Sequence, residues 1–297
     1  AKDCDQELWE IIFDFCAFDR KKIKFPMPVG NCIGGGLHSK GVSGKKPDFQ
    51  EFLLIPNEKK FSRAVTKNFH AYDYAGKLLR KKMKKLFLTR NDEGAWNTNL
   101  KNEEVIEVLK EVSDKYKVRI GVDIASSSFF HRGYYNYKNK SLIRDRLDQI
   151  DFMKILIKKF GISYVEDPLE EEDFSGFQTL IGKIDPRKTM IVGDDLTTTN
   201  LRRTARAVRA GAINAMIVKP NQIGSLVETV EVINFCKKNH IKIIFSHRSG
   251  ETMDDALGDF AVGFQADFVK TGIYGRERLI KLRRIIEIEK EFYGLII

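Results

Sequence analysis

"KTMIVGDDLTTTN", residues 188–200, sets four residues able to form a strand, Met190 to Gly193, directly against two adjacent carboxylates, Asp194 and Asp195. A buried strand has no reason of its own to end on paired negative charge, because unpaired buried charge is expensive. The same grammar recurs. Short β-rich runs occur at "VRIGVD" (118–123), "ISYVED" (162–167), "AMIVKP" (215–220), "KIIFSHR" (242–248) and "DFVKTG" (267–272). Amphipathic patterns such as "SLIRDRLDQIDFMKILIKKF" (141–160) and "SLVETVEVINFCKKN" (225–239) lie between most of them and predict helices. Apolar runs alternating with helices predict a parallel sheet covered on both faces. Six units in series favour an α/β fold of the closed, TIM-like (β/α) barrel type over an open doubly wound sheet. No GxGxxG follows a strand to suggest a dinucleotide fold.

The C-terminal ends of the six runs carry Asp123, Glu166, Asp194, Lys219, His247 and Lys270. In an α/β barrel these ends meet at one mouth, where catalytic groups sit. Asp123, Glu166 and Asp194 come from successive strands and can converge as hard oxygen ligands. Three carboxylates repel one another unless a cation lies among them, and Mg²⁺ suits that donor set. Because adjacent strand residues point to opposite faces, only one of Asp194 and Asp195 is expected to face the barrel; Asp195 and Asp167 are expected to support the turn or cap a helix. A lysine crowded by a metal and a second cation is expected to have a lowered pKa, which makes Lys219 a candidate general base. Proton abstraction beside a carboxylate builds negative charge that Mg²⁺ can stabilise. In "SHRSGET" (246–252), Arg248 and Ser249 stand before an expected helix start, a seat for phosphate or carboxylate. These residues alone point to metal-assisted proton abstraction from a small phosphorylated or carboxylated acid.

The remaining features narrow the class. The chain has 297 residues, 42% hydrophobic and 31% charged, enough for a large core. No apolar run approaches the roughly eighteen residues of a membrane span, and the acidic, aromatic start is not a secretory leader, so a soluble protein is expected. Cys4, Cys16, Cys32 and Cys236 have neither CxxC spacing nor the density of a disulfide scaffold, and read as free thiols in a reducing cytoplasm. The net charge of +10 could suit an anionic substrate, nucleic acid or an acidic surface. Its densest run, "RKKMKK" (80–85), reads as the wet face of a helix, and no RNA-binding motif accompanies it. Nucleic acid is therefore not the expected partner, though the charge leaves that open.

The segments "VEDPLEEEDF", "IVGDDLTTTN", "KPNQIGS", "SHRSGETMDD" and "KTGIYGRERLIKL" resemble the successive signatures of enolase, phosphopyruvate hydratase; "GVDIASSSFF" and "FQEFLLIP" match as well. The resemblance runs in unbroken order from about Leu8. It implies a lyase of glycolysis and gluconeogenesis that reversibly dehydrates 2-phosphoglycerate to phosphoenolpyruvate. By motif, Asp123, Glu166 and Asp194 would hold the tighter Mg²⁺, and a second Mg²⁺ would join in the closed, substrate-bound state. Lys219 would take the C2 proton. Glu93, in "NDEGA", would assist departure of the 3-hydroxyl with Glu51 beside it. His38, Gln50, His247, Arg248, Ser249 and Lys270 would hold substrate. Residues 1–25 are expected to form a helical lead-in and 26–297 the barrel domain, with a homo-oligomer, dimer or higher, as the assembly.

Three departures stand out. The family's N-terminal domain, with its mobile closing loop, is expected to be absent from this chain. Asn91 and Ala95 replace glycines of the family motif, positions where a φ above zero is a concern. The segment "SKGVSGKKPDF" (39–49) is longer and more basic than usual, in a lid region. Trp96, beside Glu93, is expected to narrow the pocket. His70, His131 and His240 match nothing and read as surface or packing residues. The competing reading is an enolase-like barrel that is weak or inactive and serves as a binding scaffold; another superfamily lyase or racemase is disfavoured by "SHRSGET" and "KPNQIG".

Overall fold

A computed structural model of the chain describes residues 5–19, 23–39, 46–83, 88–138 and 141–294. Cys4, the last two residues of the basic run 80–85 and residues 40–45 of the lid segment lie outside the described residues.

All six expected strands form: β3 (Arg119–Asp123), β7 (Tyr164–Glu166), β8 (Met190–Gly193), β9 (Ala215–Val218), β10 (Lys242–Ser246) and β11 (Phe268–Gly272). Every residue of β8 and β9 is buried, as expected of strands covered on both faces. Two further strands, β1 (Met27–Gly34) and β2 (Glu51–Ile55), complete a closed barrel in the order β1-β11-β10-β9-β8-β7-β3-β2. The six expected strands pair in parallel, as their pattern predicts, and the two added strands bring in one antiparallel element. β2 runs antiparallel to both its neighbours, β1 and β3, while the other pairings are parallel. The cause is local: among the described residues only a single 3-10 turn, Gly36–His38, lies between β1 and β2, and the helices α2 (Phe61–Lys82) and α3 (Asn102–Tyr116) come together afterwards. A strand that returns directly must reverse direction.

This reversal matters for the site. Glu51 is the first residue of β2, yet it pairs with Asp123, the last residue of β3, so it stands at the same mouth.

The other helices, α4 (Arg146–Phe160), α5 (Phe174–Gly182), α6 (Leu201–Arg209), α8 (Leu226–Lys238), α9 (Ala256–Gly263) and α10 (Arg276–Phe292), belong to the outer layer; α7 (Pro220–Ile223) is a single turn after β9. Residues 141–160 are not one helix. Leu142–Arg144 form strand β6, which pairs with β5 (Tyr134–Tyr137), and β5 pairs in turn with β4 (Phe130–His131). Asp145 then caps α4 by accepting the Asp148 N–H. The lead-in helix α1 (Leu8–Phe15) packs on α9.

Two apolar layers hold the barrel. The inner one includes Val29, Leu53, Tyr164, Val192, Ile217 and Ile244; the outer one, between strands and helices, is larger and includes Phe52, Val122, Ile191 and Val218. Room for Tyr164 is made by Gly121, where a Cβ would come 2.9 Å from the Tyr164 Cβ. Arg80, Lys81 and Lys82 are exposed at the end of α2, as the amphipathic pattern predicts.

Candidate active site

The barrel floor ends in apolar side chains, and above it lies an unusual density of buried charge. Lys270, on β11, reaches into the middle. Its Nζ donates to Asp123 Oδ2 at 2.8 Å and to both Glu166 oxygens at 2.8 Å, and it lies 3.1 Å from Glu51 Oε2. Tyr164, two residues before Glu166 on the same inward face, donates its hydroxyl to Glu166 Oε2 at 2.6 Å. Burial and then the Asp123 charge push the Glu166 carboxyl well above the usual range, against the pull of Lys270. Burial opposes the charge on Lys270, but Asp123, Glu166 and Glu51 outweigh it and hold the ammonium well above its ordinary value.

Asp194 turns the other way. Its Oδ2 accepts from Lys219 Nζ at 2.5 Å, while its Oδ1 is buried without a hydrogen-bond partner. The expected lowering of the Lys219 pKa is therefore corrected. Burial and Lys270 do act to lower it, but the adjacent Asp194 and the charge of Glu166 raise it overall. Lys219 stands as an ammonium as long as Asp194 faces it. The turn carrying Asp194 is shaped by Asp167, whose two oxygens accept the backbone N–H groups of Asp194 (3.1 Å) and Asp195 (2.7 Å). Asp195 is pushed up to about 6, first by burial and then by Asp194. Oxygens of Asp167, Asp194 and Asp195 lie within 4.8 Å of one another.

On the opposite wall, His38 Nδ1 lies 3.4 Å from both Glu51 Oε1 and Glu93 Oε2. Burial disfavours its charge, yet the two carboxylates override this and push the imidazole up to about 10. Burial likewise opposes ionisation of Glu93, but His38 and Asn31 Nδ2, which donates at 2.9 Å, bring it down to about 2. Gln50 joins this wall through its backbone, donating N–H to the Asp123 carbonyl at 3.0 Å.

Residues 247–249 form the rim. His247 is buried, and burial followed by the Arg278 charge depresses its pKa well below the ordinary value. Arg278 Nη1 lies 3.0 Å from His247 Nδ1. Since guanidinium only donates, Nδ1 accepts and the proton of the neutral ring sits on Nε2. Arg248 and Ser249 are exposed. The expected helix start beside them is not there: α9 begins only at Ala256. The rim is held instead by Arg278, which also donates to the carbonyls of Arg248 and Ser249 at 2.8 Å each.

A family model described as "Enolase, C-terminal TIM barrel domain" matches residues 22–294. The chain belongs to the enolase family. It is similar to the enolase of Picrophilus torridus, 38% identical over 272 residues that cover 90% of this chain and 66% of that protein. The enolase of Thermoplasma acidophilum is 40% identical over 296 residues, 98% of this chain and 72% of that protein. The enolase of Sulfolobus acidocaldarius is 36% identical over 304 residues, 99% and 71%. The chain thus spans about two-thirds of the length of the first of these relatives.

Glu51, Asp123, Glu166 and Lys270 meet in one cluster and His38 stands beside Glu51 and Glu93, which is not the expected grouping; Gln50 touches the cluster only through its backbone, and Arg248 and Ser249 lie exposed on the rim. Asp123 and Glu166 share Lys270, whereas Asp194 pairs with Lys219. Arg278 and Tyr164 were missed. Arg278 lies among other basic residues of a helix, where sequence gives no sign that one of them is 3% exposed; Tyr164 reads as an ordinary aromatic strand residue. Trp96 does not narrow the pocket: it is buried, stacked on Tyr72 with ring centroids 4.9 Å apart, and donates Nε1–H to the Tyr72 carbonyl. His70, His131 and His240 are exposed. Cys16, Cys32 and Cys236 are free thiols. No helix among the described residues is long and apolar enough to cross a membrane.

Proposed function

We propose that the chain carries the chemistry of enolase, the reversible Mg²⁺-dependent dehydration of 2-phosphoglycerate to phosphoenolpyruvate. The observation that carries this reading is the facing of Asp123, Glu166 and Asp194 by Lys219 and Lys270 at one barrel mouth. The residues fit a hard divalent cation. Asp194 Oδ1 is buried and unpartnered, Glu166 is short of positive charge, and every candidate ligand is a carboxylate oxygen. Asp123, Glu166 and Asp194 would hold one Mg²⁺, and a second would accompany substrate phosphate. Bound Mg²⁺ supplies charge stabilisation to the carboxylate side of the substrate as negative charge builds there.

The protein groups divide the remaining work. Once Asp194 is engaged elsewhere, Lys219 loses the partner that keeps its proton and becomes the base for the C2 hydrogen. The 3-hydroxyl then leaves as water, with its proton coming from the His38–Glu93 pair; Glu93 as it stands is ionised, and His38 holds the proton 3.4 Å away. Arg248 and Ser249 on the rim, with His247 Nε2–H, offer donors to phosphate and carboxylate. Lys270 stabilises charge at the centre, and Gln50 lines the His38 wall. In this reading residues 1–25 lead into the barrel domain 26–297, the substrate is a small phosphorylated acid, the compartment is the cytoplasm and the assembly a homo-oligomer.

Calorimetric titration of 2-phosphoglycerate with and without Mg²⁺, repeated on Asp194→Asn, tests the site. Mg²⁺-dependent binding that weakens in the variant supports it. Binding indifferent to both changes would instead favour the scaffold reading, with the net positive charge of the chain merely attracting anions.

A further inference from the structure

Glu93 sits at the tip of a five-residue turn, and the side chain of Asn91 forms the inside of that turn. The backbone closes it twice, with Asn91 N–H donating to the Ala95 carbonyl at 2.9 Å and Gly94 N–H donating to the Asn91 carbonyl at 3.0 Å. Gly94 has φ +77°, and a Cβ there would come 2.0 Å from the Tyr274 carbonyl oxygen, so the tip admits only glycine. Neither Asn91 nor Ala95 has a positive φ. The concern that replacing family glycines strains the backbone is thereby removed, and a different role for Asn91 comes into view.

Asn91 Oδ1 accepts two backbone N–H groups, from Glu93 at 3.0 Å and from Ala95 at 2.9 Å. Both residues are buried, at 2% and 0% exposure, so without Asn91 these donors would have no water to turn to. The Glu93 carboxylate leaves this fixed backbone toward Asn31 Nδ2 (2.9 Å) and His38 Nδ1 (3.4 Å). From outside, the turn is braced by Tyr72, whose hydroxyl donates to the Gly94 carbonyl at 2.6 Å, and by Arg90, whose Nε donates to that hydroxyl at 2.8 Å. The Tyr72–Arg90 brace reaches only Gly94. Among the described residues, Asn91 alone accepts from the Glu93 amide.

Only half of the amide is used. Asn91 Nδ2 is buried without a partner, packed where a Cβ on Gly34 would come within 2.4 Å of it. The acceptor oxygen is therefore what the turn requires.

We propose that Asn91 is a positioning residue for Glu93, aiming its carboxylate at His38 and the leaving hydroxyl while taking no part in proton abstraction by Lys219. This rests on the enolase reading for its catalytic consequence but not for its geometry, and the test separates the two. Two variants of the full chain are compared with wild type: Asn91→Ala and Asn91→Asp, the latter keeping an acceptor oxygen in place. Exchange of the C2 hydrogen of 2-phosphoglycerate with solvent deuterium reads Lys219; formation of phosphoenolpyruvate reads the later step. Asn91→Ala is expected to lose on the order of 10- to 100-fold in dehydration, the scale of a misplacement of about 1 Å, with C2 exchange and KM unchanged. Asn91→Asp is expected to recover most of it and to shift the pH profile through its added charge. NMR titration of His38, independent of any turnover, should show its midpoint falling in Asn91→Ala and returning in Asn91→Asp, because Glu93 is one of the two carboxylates that sustain it. An unchanged His38 midpoint in Asn91→Ala overturns the proposal, as does an equal fall of exchange and dehydration. Absence of both reactions and of Mg²⁺-dependent 2-phosphoglycerate binding in wild type, with the His38 midpoint behaving as stated, would sink the enolase reading and leave the positioning role standing.

Discussion

Replacing Lys270 by methionine keeps most of the side-chain volume and removes one ammonium from among three buried carboxylates, Asp123, Glu166 and Glu51. All four residues are at most 4% exposed, so solvent cannot take over the role. Removing one partner of a buried ion pair costs about 3–5 kcal/mol, because the remaining charge is stranded. Here one cation serves several acids, which favours the upper half of that range; proton uptake by Glu166, already pushed well above its ordinary value, limits it. The sign of the pH dependence follows. In the variant the stranded acids bind protons more tightly folded than unfolded, so the folded state holds more protons and stability falls as pH rises above the ordinary carboxylate range near 4.5. Urea unfolding of both proteins between about pH 5 and 8, without Mg²⁺, should show a deficit that widens with pH to roughly 4 kcal/mol. Added Mg²⁺ should return part of it, by mass action on the folded state alone. A deficit under about 1 kcal/mol at the alkaline end, or one that does not grow with pH, would refute the idea that Lys270 is the counter-ion of this cluster.

Three other outcomes follow from the geometry. Arg278→Met removes the donors that fix His247, Arg248 and Ser249; KM for 2-phosphoglycerate should rise on the order of 10-fold or more while the barrel stays folded by circular dichroism, and an unchanged KM would mean the rim holds itself. Tyr164→Phe deletes the 2.6 Å bond to Glu166 and should weaken Mg²⁺ binding by roughly 10-fold in direct titration, as loss of a group supporting a ligand does; unaltered affinity would argue that Glu166 is not a ligand. His38, with its pKa raised to about 10 by Glu51 and Glu93 against burial, contributes stability that is complete below its unfolded value near 6.5 and is lost as pH rises through about 10. The stability gap between wild type and His38→Gln should therefore close toward the alkaline end, and a gap that widens there would contradict the assignment of a proton to His38.

The legible part of the fold was the part with a strong local code. β3, β7, β8, β9, β10 and β11 are continuous apolar runs that end on ionisable groups, and that pattern requires a covered strand ending at a polar mouth. β1 was not legible, because "MPVGNCIG" contains a proline, two glycines and an asparagine, all poor strand formers, and is held by its neighbours on both sides. The direction of β2 has no periodic signature at all, so Glu51 could be placed at the mouth only by likeness. β6, three residues long, is too short to interrupt an apparent helical pattern. At the site, residue types were readable but pairings were not. Whether Lys219 faces Asp194 or repels Lys270 depends on side-chain directions across the barrel, and this reversed the expected pKa shift. Asp167 could be placed beside the site from strand alternation, yet its grip on two consecutive amides depends on a turn that sequence does not spell out.

Enolase chemistry at this mouth is tested most directly by ultraviolet absorbance of phosphoenolpyruvate formed from 2-phosphoglycerate by this chain, run with Mg²⁺, with a chelator, and with Lys219→Met. The prediction is Mg²⁺-dependent turnover, slow where further parts of the relatives' length contribute to closure, and abolished both by the chelator and by the substitution. Turnover that survives Lys219→Met, or no turnover together with no Mg²⁺-dependent binding of 2-phosphoglycerate, would contradict it.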